Sequence, residues 1–309
     1  LPGISQPITS SNVASLLQDK IEGDFFPGST QKRQILSELL NKIIIAIEQS
    51  PEKQAEILRK LPELTFEKHI LFSFDTKNLD KAFSAAGFSG GLIDNRINKN
   101  SINDFILVNE ANIGVNKINE FVTRRITYTA LLKNSEIDSD VLTEFKNSGK
   151  NDYKVYFQIA VSENSQLLKV VINGKDQEVV SAVTDPRIYE RNGFKEPSGL
   201  EVFQEIKNGK KFMGFVTTVP KQSSSRIRML YKQSFSSNRT FLNYSLDASS
   251  YSIRFVKQPG TQPFPLTIQL QADEGFRLNR KDRDNSPILF DGLVKTDREF
   301  SVPILKTKQ

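Results

Sequence analysis

Apolar side chains recur at helical spacing in the first third of the chain. Between about Thr30 and Gln49 they recur at intervals of three to four residues, singly or in adjacent pairs. These residues are Ile35, Leu36, Leu39, Leu40, Ile43, Ile44 and Ile47. This spacing places them on one face of a helix. Ser50-Pro51 then supplies the cap and first residue of another helix, which ends near Lys60. An amphipathic stretch from Thr9 to Gly23 predicts an earlier helix.

Short apolar runs replace this pattern after Glu67 and predict strands. The runs are His69 to Phe74, Asp104 to Val108 and Phe121 to Leu132. After the first of them, Asp75 is placed to cap a short helix that ends before Gly87. We therefore expect a mixed α and β region here.

Residues 133–151 are polar and rich in Ser, Asn and Asp, which is typical of loops. They predict a junction at residues 136–152. Residues 1–135 would then form a helical and mixed α/β domain, and residues 153–309 a second domain. A short helix from Val141 to Phe145 could lie inside the junction.

Alternating apolar residues dominate from Tyr153 onward. Two pairs of alternating runs are joined by Asn173-Gly174 and Asn208-Gly209. Asn-Gly between such runs is a strong hairpin signal, because both turn residues must take positive φ. Further short runs continue to about Ile304. The predicted fold class is α+β, with a helical and mixed α/β region followed by an all-β, sandwich-like domain.

The composition excludes several chemistries. The 309 residues contain no Cys and one His, His69, which excludes disulfides, thiolate metal sites and multi-histidine metal sites. No Gly-rich phosphate loop or nucleophile elbow is present. We interpret His69 as a structural residue at a strand edge rather than a general base. We expect no cofactor, no metal site and no catalytic residue, although the sequence leaves the question of catalysis open.

The charge balance is mildly basic. Lys and Arg outnumber Asp and Glu by 42 to 36, a formal net charge of +6. Such an excess suits loose attraction to anionic polymers. The basic residues are dispersed, however, and lack the aromatic platforms that bind nucleic acid. We therefore expect no nucleic-acid partner.

A polar segment from Asn109 to Glu120 follows the strand predicted at Asp104 to Val108. Binding residues concentrate in loops of this kind, and Asn112, Asn116 and Lys117 could hydrogen-bond a ligand. The alternative is that the Asn side chains satisfy the backbone of their own loop.

Several segments, in the same order along nearly the whole chain, resemble a bacterial family known only as domain of unknown function 4012. They are Lys68-His69-Ile70-Leu71, Gly87-Phe88-Ser89-Gly90, Leu107 to Glu120, Thr218-Val219-Pro220 and Lys257-Gln258-Pro259-Gly260-Thr261. The chain departs from the family pattern at Phe88, where Trp is frequent. The resemblance implies the C-terminal part of an ectodomain, on the extracellular face of the envelope, with a membrane anchor upstream of this chain.

A second resemblance supplies an enzyme alternative. Gln31-Lys32-Arg33-Gln34 opens a helix and resembles the Arg-Gln helix of LytR-CpsA-Psr phosphotransferases, which transfer lipid-linked glycans to the cell wall. The resemblance implies that Lys32 and Arg33 contact pyrophosphate, with the catalytic half missing from this chain. An ordinary basic first turn of a helix is the other interpretation.

Together these patterns favour a non-catalytic surface protein of the cell envelope. We expect its partners to be cell-wall or capsular polysaccharide, or other envelope proteins. Membrane contact would come only through the missing anchor.

Overall fold

The structure is a computed structural model that describes residues 6–9, 11–13, 16, 30–92, 101–114, 116–133, 135–188, 190, 193–195, 197–234, 249–273, 276–279 and 287–306. The chain divides into two compact units, Leu1–Leu64 and Thr65–Gln309. The predicted fold class is confirmed: helices precede a β-rich region of two large mixed sheets.

Two helices dominate the described part of the first unit. They are α1 (Thr30–Glu48) and α2 (Pro51–Phe66), so the second continues beyond its predicted end at Lys60 and contains Pro62. The backbone amide of Lys53 lies 3.4 Å from the Ser50 hydroxyl, as the predicted cap requires. The helix predicted between Thr9 and Gly23 falls mostly outside the described residues. None of the described helices is long and apolar enough to cross a membrane.

The second unit opens with a segment in which phenylalanine rings contact one another. Its helix, α3 (Lys77–Ala85), begins after Thr76, and Asp80 accepts a hydrogen bond from the Phe74 amide at 3.1 Å. The strand predicted from His69 to Phe74 is wrong, because these residues have no strand partner. The rings in contact are Phe66, Phe72, Phe74, Phe83 and Phe88. Aromatic packing therefore explains why this run is apolar.

The described residues of the second unit contain fifteen strands. They are β1 (Ser101–Asn112), β2 (Val122–Leu132), β3 (Glu136–Asn147), β4 (Tyr153–Ser162), β5 (Ser165–Ile172), β6 (Lys175–Asp176), β7 (Val179–Ser181), β8 (Leu200–Lys207), β9 (Lys210–Val219), β10 (Ser223–Ser234), β11 (Ser249–Val256), β12 (Phe264–Ala272), β13 (Phe276–Leu278), β14 (Ile288–Val294) and β15 (Arg298–Lys306). Short 3-10 turns occupy Ile118–Phe121 and Pro186–Ile188.

These strands form two sheets that share one core. The eight-stranded sheet has the order β13-β15-β11-β1-β4-β9-β8-β7, and the seven-stranded sheet has the order β14-β12-β2-β3-β10-β5-β6. Most neighbours are antiparallel, but β11 pairs with β1, β12 with β2 and β7 with β8 in parallel. The inward side chains of both sheets form one continuous buried cluster, as in a sandwich.

The predicted junction at residues 136–152 is wrong. Glu136–Asn147 is strand β3, which lies between β2 and β10 in the seven-stranded sheet. Its inward side chains include Ile137, Val141 and Phe145, all buried. Polar residues alternate with them on the outward face, and this alternation gave the segment its loop-like composition. The chain divides into its two compact units between Leu64 and Thr65 instead.

Both Asn-Gly turns are confirmed. Asn173 and Gly174 take φ of 51° and 79° between β5 and β6. Asn208 and Gly209 take φ of 51° and 68° between β8 and β9. Glycine has no Cβ to strain at these values, which fits the second position of each turn.

Candidate functional site

Two segments that stand out in the sequence meet at one end of the sandwich. Gln258, in the segment after β11, accepts a hydrogen bond from the Glu110 amide at 3.1 Å and donates to the Glu110 carbonyl at 2.8 Å. It also accepts a bond from Nη1 of Arg124 on β2, at 3.2 Å. The structure thus joins the end of β1 to the segment Lys257–Thr261.

Glu110 and Arg124 form an ion pair beneath this contact. Nη2 of Arg124 lies 2.5 Å from Oε1 of Glu110, and the two side chains are only 12% and 9% exposed. Burial raises the pKa of Glu110, while the charge of Arg124 opposes that rise. Oε2 of Glu110 is buried without a hydrogen bond of good geometry among the described residues. Burial and the charge of Glu110 also raise the pKa of Tyr153.

A buried lysine lies beside this pair. Lys257 is fully buried, and its Nζ donates to the carbonyl of Glu67 at 2.9 Å and that of Thr261 at 2.6 Å. Burial lowers the pKa of Lys257. Nearby, Nζ of Lys68 lies 2.7 Å from Oδ1 of Asp297, and the same carboxylate oxygen accepts the Lys257 amide at 2.9 Å. The ammonium groups therefore hold the start of the second unit against the segment after β11.

A carboxyl group is also buried in the core itself. Asp104 of β1 accepts hydrogen bonds from the hydroxyls of Tyr128 and Tyr251 and from the Phe105 amide at 2.7 Å. Burial raises the pKa of Asp104, against the opposing effect of the two tyrosine bonds. Burial likewise raises the pKa of both tyrosines. Ser139 extends the network, since its hydroxyl lies 3.0 Å from that of Tyr128.

Two of the predicted binding residues, Asn112 and Asn116, form hydrogen bonds within their own segment. Asn112 donates to the carbonyl of Asn116 and to its side-chain oxygen, the latter at 3.1 Å, and accepts the Gly114 amide at 3.0 Å. Asn116 accepts the Ile118 amide at 3.3 Å. Lys117 is exposed. These contacts are those that the structural alternative predicted, and ligand binding by the three residues stays a prediction.

The other predicted residues lie apart from these clusters in sequence. Lys32 and Arg33 belong to the first turn of α1, but their side chains fall outside what the structure describes. The enzyme alternative that depends on them stays a hypothesis. Nε2 of His69 lies 3.5 Å from Oε2 of Glu67. Among the described residues, no group of three or more His, Asp and Glu side chains could hold a metal ion.

The outward face of the eight-stranded sheet carries aromatic and amide side chains that sequence reasoning missed. Tyr156, Gln158, Phe203 and Phe212 are all half-buried. Nε2 of Gln158 lies 3.3 Å from the hydroxyl of Tyr156. Burial raises the pKa of Tyr156, with a further contribution from the charge of Glu205. These groups therefore lie close together on one surface.

The sequence contained a signal for some of the missed residues. Asp104 alternates with Ile102 and Ile106, and this period of two places a carboxyl group on an inward face. Lys257 continues the alternation of β11, because it lies two residues after the buried Phe255. Their partners lie far away in the sequence, so no local pattern could have named them.

No protein-family model and no curated protein matches the sequence. Among solved structures, the chain is similar to a provisionally named nutrient-binding protein of Legionella pneumophila, with a TM-score of 0.34, 11% identity, and 60% of this chain and 67% of that one covered. An M1 zinc metallopeptidase of Deinococcus radiodurans gives a TM-score of 0.27 at 6% identity, covering 59% of this chain and 42% of the peptidase. Yeast LTA4 hydrolase gives a TM-score of 0.27 at 7% identity, with 60% of this chain and 28% of the hydrolase covered. Likenesses this weak support neither a family nor an activity.

Proposed function

We propose that this chain is a non-catalytic surface module of a cell-envelope protein, and that it contacts envelope polysaccharide. The observation that carries the proposal is where the buried ionisable groups with shifted pKa values lie. Asp104 and Glu110 bond to side chains of neighbouring strands, and Lys257 bonds to backbone carbonyls of the same unit. General acid or base catalysis requires a group within reach of a substrate proton, so these residues support a structural role.

Surface charge fits a module of this kind. On the outward face of the seven-stranded sheet, Arg226 lies 2.8 Å from Glu144, and Arg228 pairs with Asp140. Such pairs neutralise one another and leave only a mild net charge of +6 for attraction to polymer. The segments that resemble the envelope family support the location.

Co-sedimentation of the full chain with purified, insoluble cell-wall sacculi tests the proposal. We expect a saturable bound fraction that persists when the salt concentration is raised to about 0.15 M, where the Debye length is about 8 Å. Lys42→Gln with Lys53→Gln lowers the formal charge from +6 to +4 and serves as the charge control. Binding that disappears with this pair or with moderate salt indicates charge attraction alone. Absence of sedimentation at low salt refutes the polysaccharide contact.

A further inference from the structure

Outward side chains of four neighbouring strands form rows across the eight-stranded sheet. One row runs from Asn109 on β1 through Gln158 on β4 and Gly214 on β9 to Phe203 on β8. The row on one side contains Tyr156 and Val216, and the row on the other contains Phe212 and Glu205. We name the surface of Asn109, Tyr156, Gln158, Phe203, Phe212 and Glu205 the β4–β9 platform. Rings and amide groups thus share one face of the sheet.

Gly214 leaves room for the ring of Tyr156. A Cβ atom added to Gly214 would lie 2.5 Å from the Tyr156 hydroxyl oxygen and 2.7 Å from the ring carbon that bears it. The ring therefore lies across β9 rather than standing away from the sheet. Gln158 fixes its hydroxyl end from the neighbouring position. Glycine weakens the interior of a strand, so this arrangement costs some stability to keep an aromatic ring flat on the surface.

The polar groups of the platform are chiefly uncharged. Glu205 is the charged residue of these three rows, and Lys210 and Lys207 lie in the next row. Asn109 and Gln158 carry amides that both donate and accept hydrogen bonds. A hydroxyl-bearing sugar needs such two-way partners, and its C–H faces pack on aromatic rings. An anionic polymer would instead need arginine or lysine in these rows.

The position of the strands argues against a peptide strand as the partner. A peptide that extends a sheet pairs with a free edge. β4 lies between β1 and β9, and β9 lies between β4 and β8, so both sides of each strand are already paired. Binding to this face must use side chains, as binding of a sugar chain does.

We propose that the β4–β9 platform binds a neutral glycan chain, with Tyr156 and Phe203 stacking on sugar rings and Gln158 and Asn109 hydrogen-bonding hydroxyl groups. This inference deepens the proposed function and rests on it only for the choice of an envelope glycan as the source of the sugar. The site itself depends on the sheet face alone.

Titration calorimetry of the full chain with linear oligosaccharides of N-acetylglucosamine and of glucose tests the site. We expect saturable binding to at least one of them, weakened roughly fivefold to tenfold by Phe203→Ala or Gln158→Ala, as loss of a ring contact or a hydrogen bond implies. Tyr156→Phe keeps the ring and should retain most of the affinity. Ile206→Ala is the matched control, because Ile206 lies on the same strand as Phe203 and is 64% exposed, but alternates to the opposite side.

Thermal unfolding of each variant verifies that it folds, so that lost binding is not lost structure. Saturable binding weakened by Phe203→Ala and Gln158→Ala but not by Ile206→Ala supports the site. No saturable binding to either neutral oligosaccharide overturns it, as does binding that both platform variants leave unchanged. Binding to a peptide or to an anionic polymer alone also overturns it.

The sacculus experiment separates this inference from the proposed function. If Phe203→Ala and Gln158→Ala still sediment with sacculi like the wild type, the platform is not the binding site and the envelope contact stands. If the wild type binds the soluble oligosaccharides through the platform but not sacculi, the site stands and the envelope contact is wrong.

Discussion

The side chain of Gln258 pairs with the backbone of Glu110 as a neighbouring strand would. It accepts the Glu110 amide at 3.1 Å and donates to the Glu110 carbonyl at 2.8 Å. The two residues are 148 positions apart. Because buried backbone groups must be hydrogen-bonded, this amide completes the ladder at the end of β1 and also positions Arg124 over the Glu110 carboxylate.

Removing the cation of this cluster should make stability depend strongly on pH. Arg124→Met leaves the buried Glu110 carboxylate without its ion pair, a loss of about 3–5 kcal/mol at neutral pH. Burial already raises the pKa of Glu110 and the charge of Arg124 opposes that rise, so without Arg124 the folded state holds a proton that the unfolded state has released in the window between the ordinary and the raised pKa. The free energy of unfolding therefore falls as pH rises above the ordinary pKa of glutamate. The variant should lose less stability relative to the wild type in acid than at neutral pH.

Urea denaturation of Arg124→Met at acid and neutral pH measures this effect. Glu110→Gln combined with Arg124→Met is the matched control, because it removes the buried charge and should recover much of the stability. An equal loss at both pH values would show that Arg124 acts only through packing, for example through its contact with the Phe264 ring at 5.2 Å.

The buried ammonium of Lys257 should stabilise the fold through two carbonyl groups. Lys257→Met keeps the length of the side chain but leaves the carbonyls of Glu67 and Thr261 without this donor. We expect a loss of about 2–4 kcal/mol in the free energy of unfolding. Lys154→Met, at an exposed lysine, should change it by less than about 0.5 kcal/mol.

Amide hydrogen exchange locates the effect of Lys257→Met. The Gly260 amide donates to the Lys68 carbonyl at 2.9 Å and should exchange faster in this variant, since the segment after β11 loses its anchor. Unchanged exchange at Gly260 with unchanged stability would mean that the ammonium group is dispensable.

The buried carboxyl of Asp104 should oppose stability as it ionises. Burial raises its pKa above the ordinary value of 3.8, so in the window between the two values the folded state holds a proton that the unfolded state has released. Stability falls as pH rises through this window. Asp104→Asn removes the titration, so the stability of this variant relative to the wild type should increase with pH, by about 1.4 kcal/mol for each unit between the two pKa values.

Thermal unfolding midpoints across the acidic range test this prediction. Asp176→Asn is the control, because it makes the same chemical change at a carboxylate that is 66% exposed, where its ion pair with Lys169 contributes little in water. A constant difference between Asp104→Asn and the wild type at every pH would contradict the titration of Asp104.

Local pattern predicted much of this fold and little of its polar interior. The Asn173-Gly174 turn and the alternation of Tyr153–Ser162 are local properties, and both correspond to the structure. The parallel pairing of β1 with β11 depends on residues about half the chain apart. Because contacts of that kind leave no periodic signal, neither the hydrogen bond from Tyr251 to Asp104 nor the contact of Gln258 with Glu110 could be predicted.

The misplaced junction has a related cause. The outward residues Asp138, Asp140 and Glu144 of β3 face water and pair with basic residues of neighbouring segments. A strand with one solvated face can match a loop in composition while differing from it in period. The period of two in β3 is the property that separates the two cases, and composition alone conceals it.

The asparagines at the end of β1 and in the loop that follows it allow a direct test between a structural and a binding role. Asn112→Ala removes the bond to the Gly114 amide at 3.0 Å and the bonds to Asn116. We expect a loss of about 1–2 kcal/mol in the free energy of unfolding, whereas Lys117→Ala, at an exposed residue, should cost less than about 0.5 kcal/mol. Chemical denaturation of both variants gives these values. If Asn112→Ala leaves stability unchanged and instead weakens sedimentation with sacculi, the loop is a binding element after all.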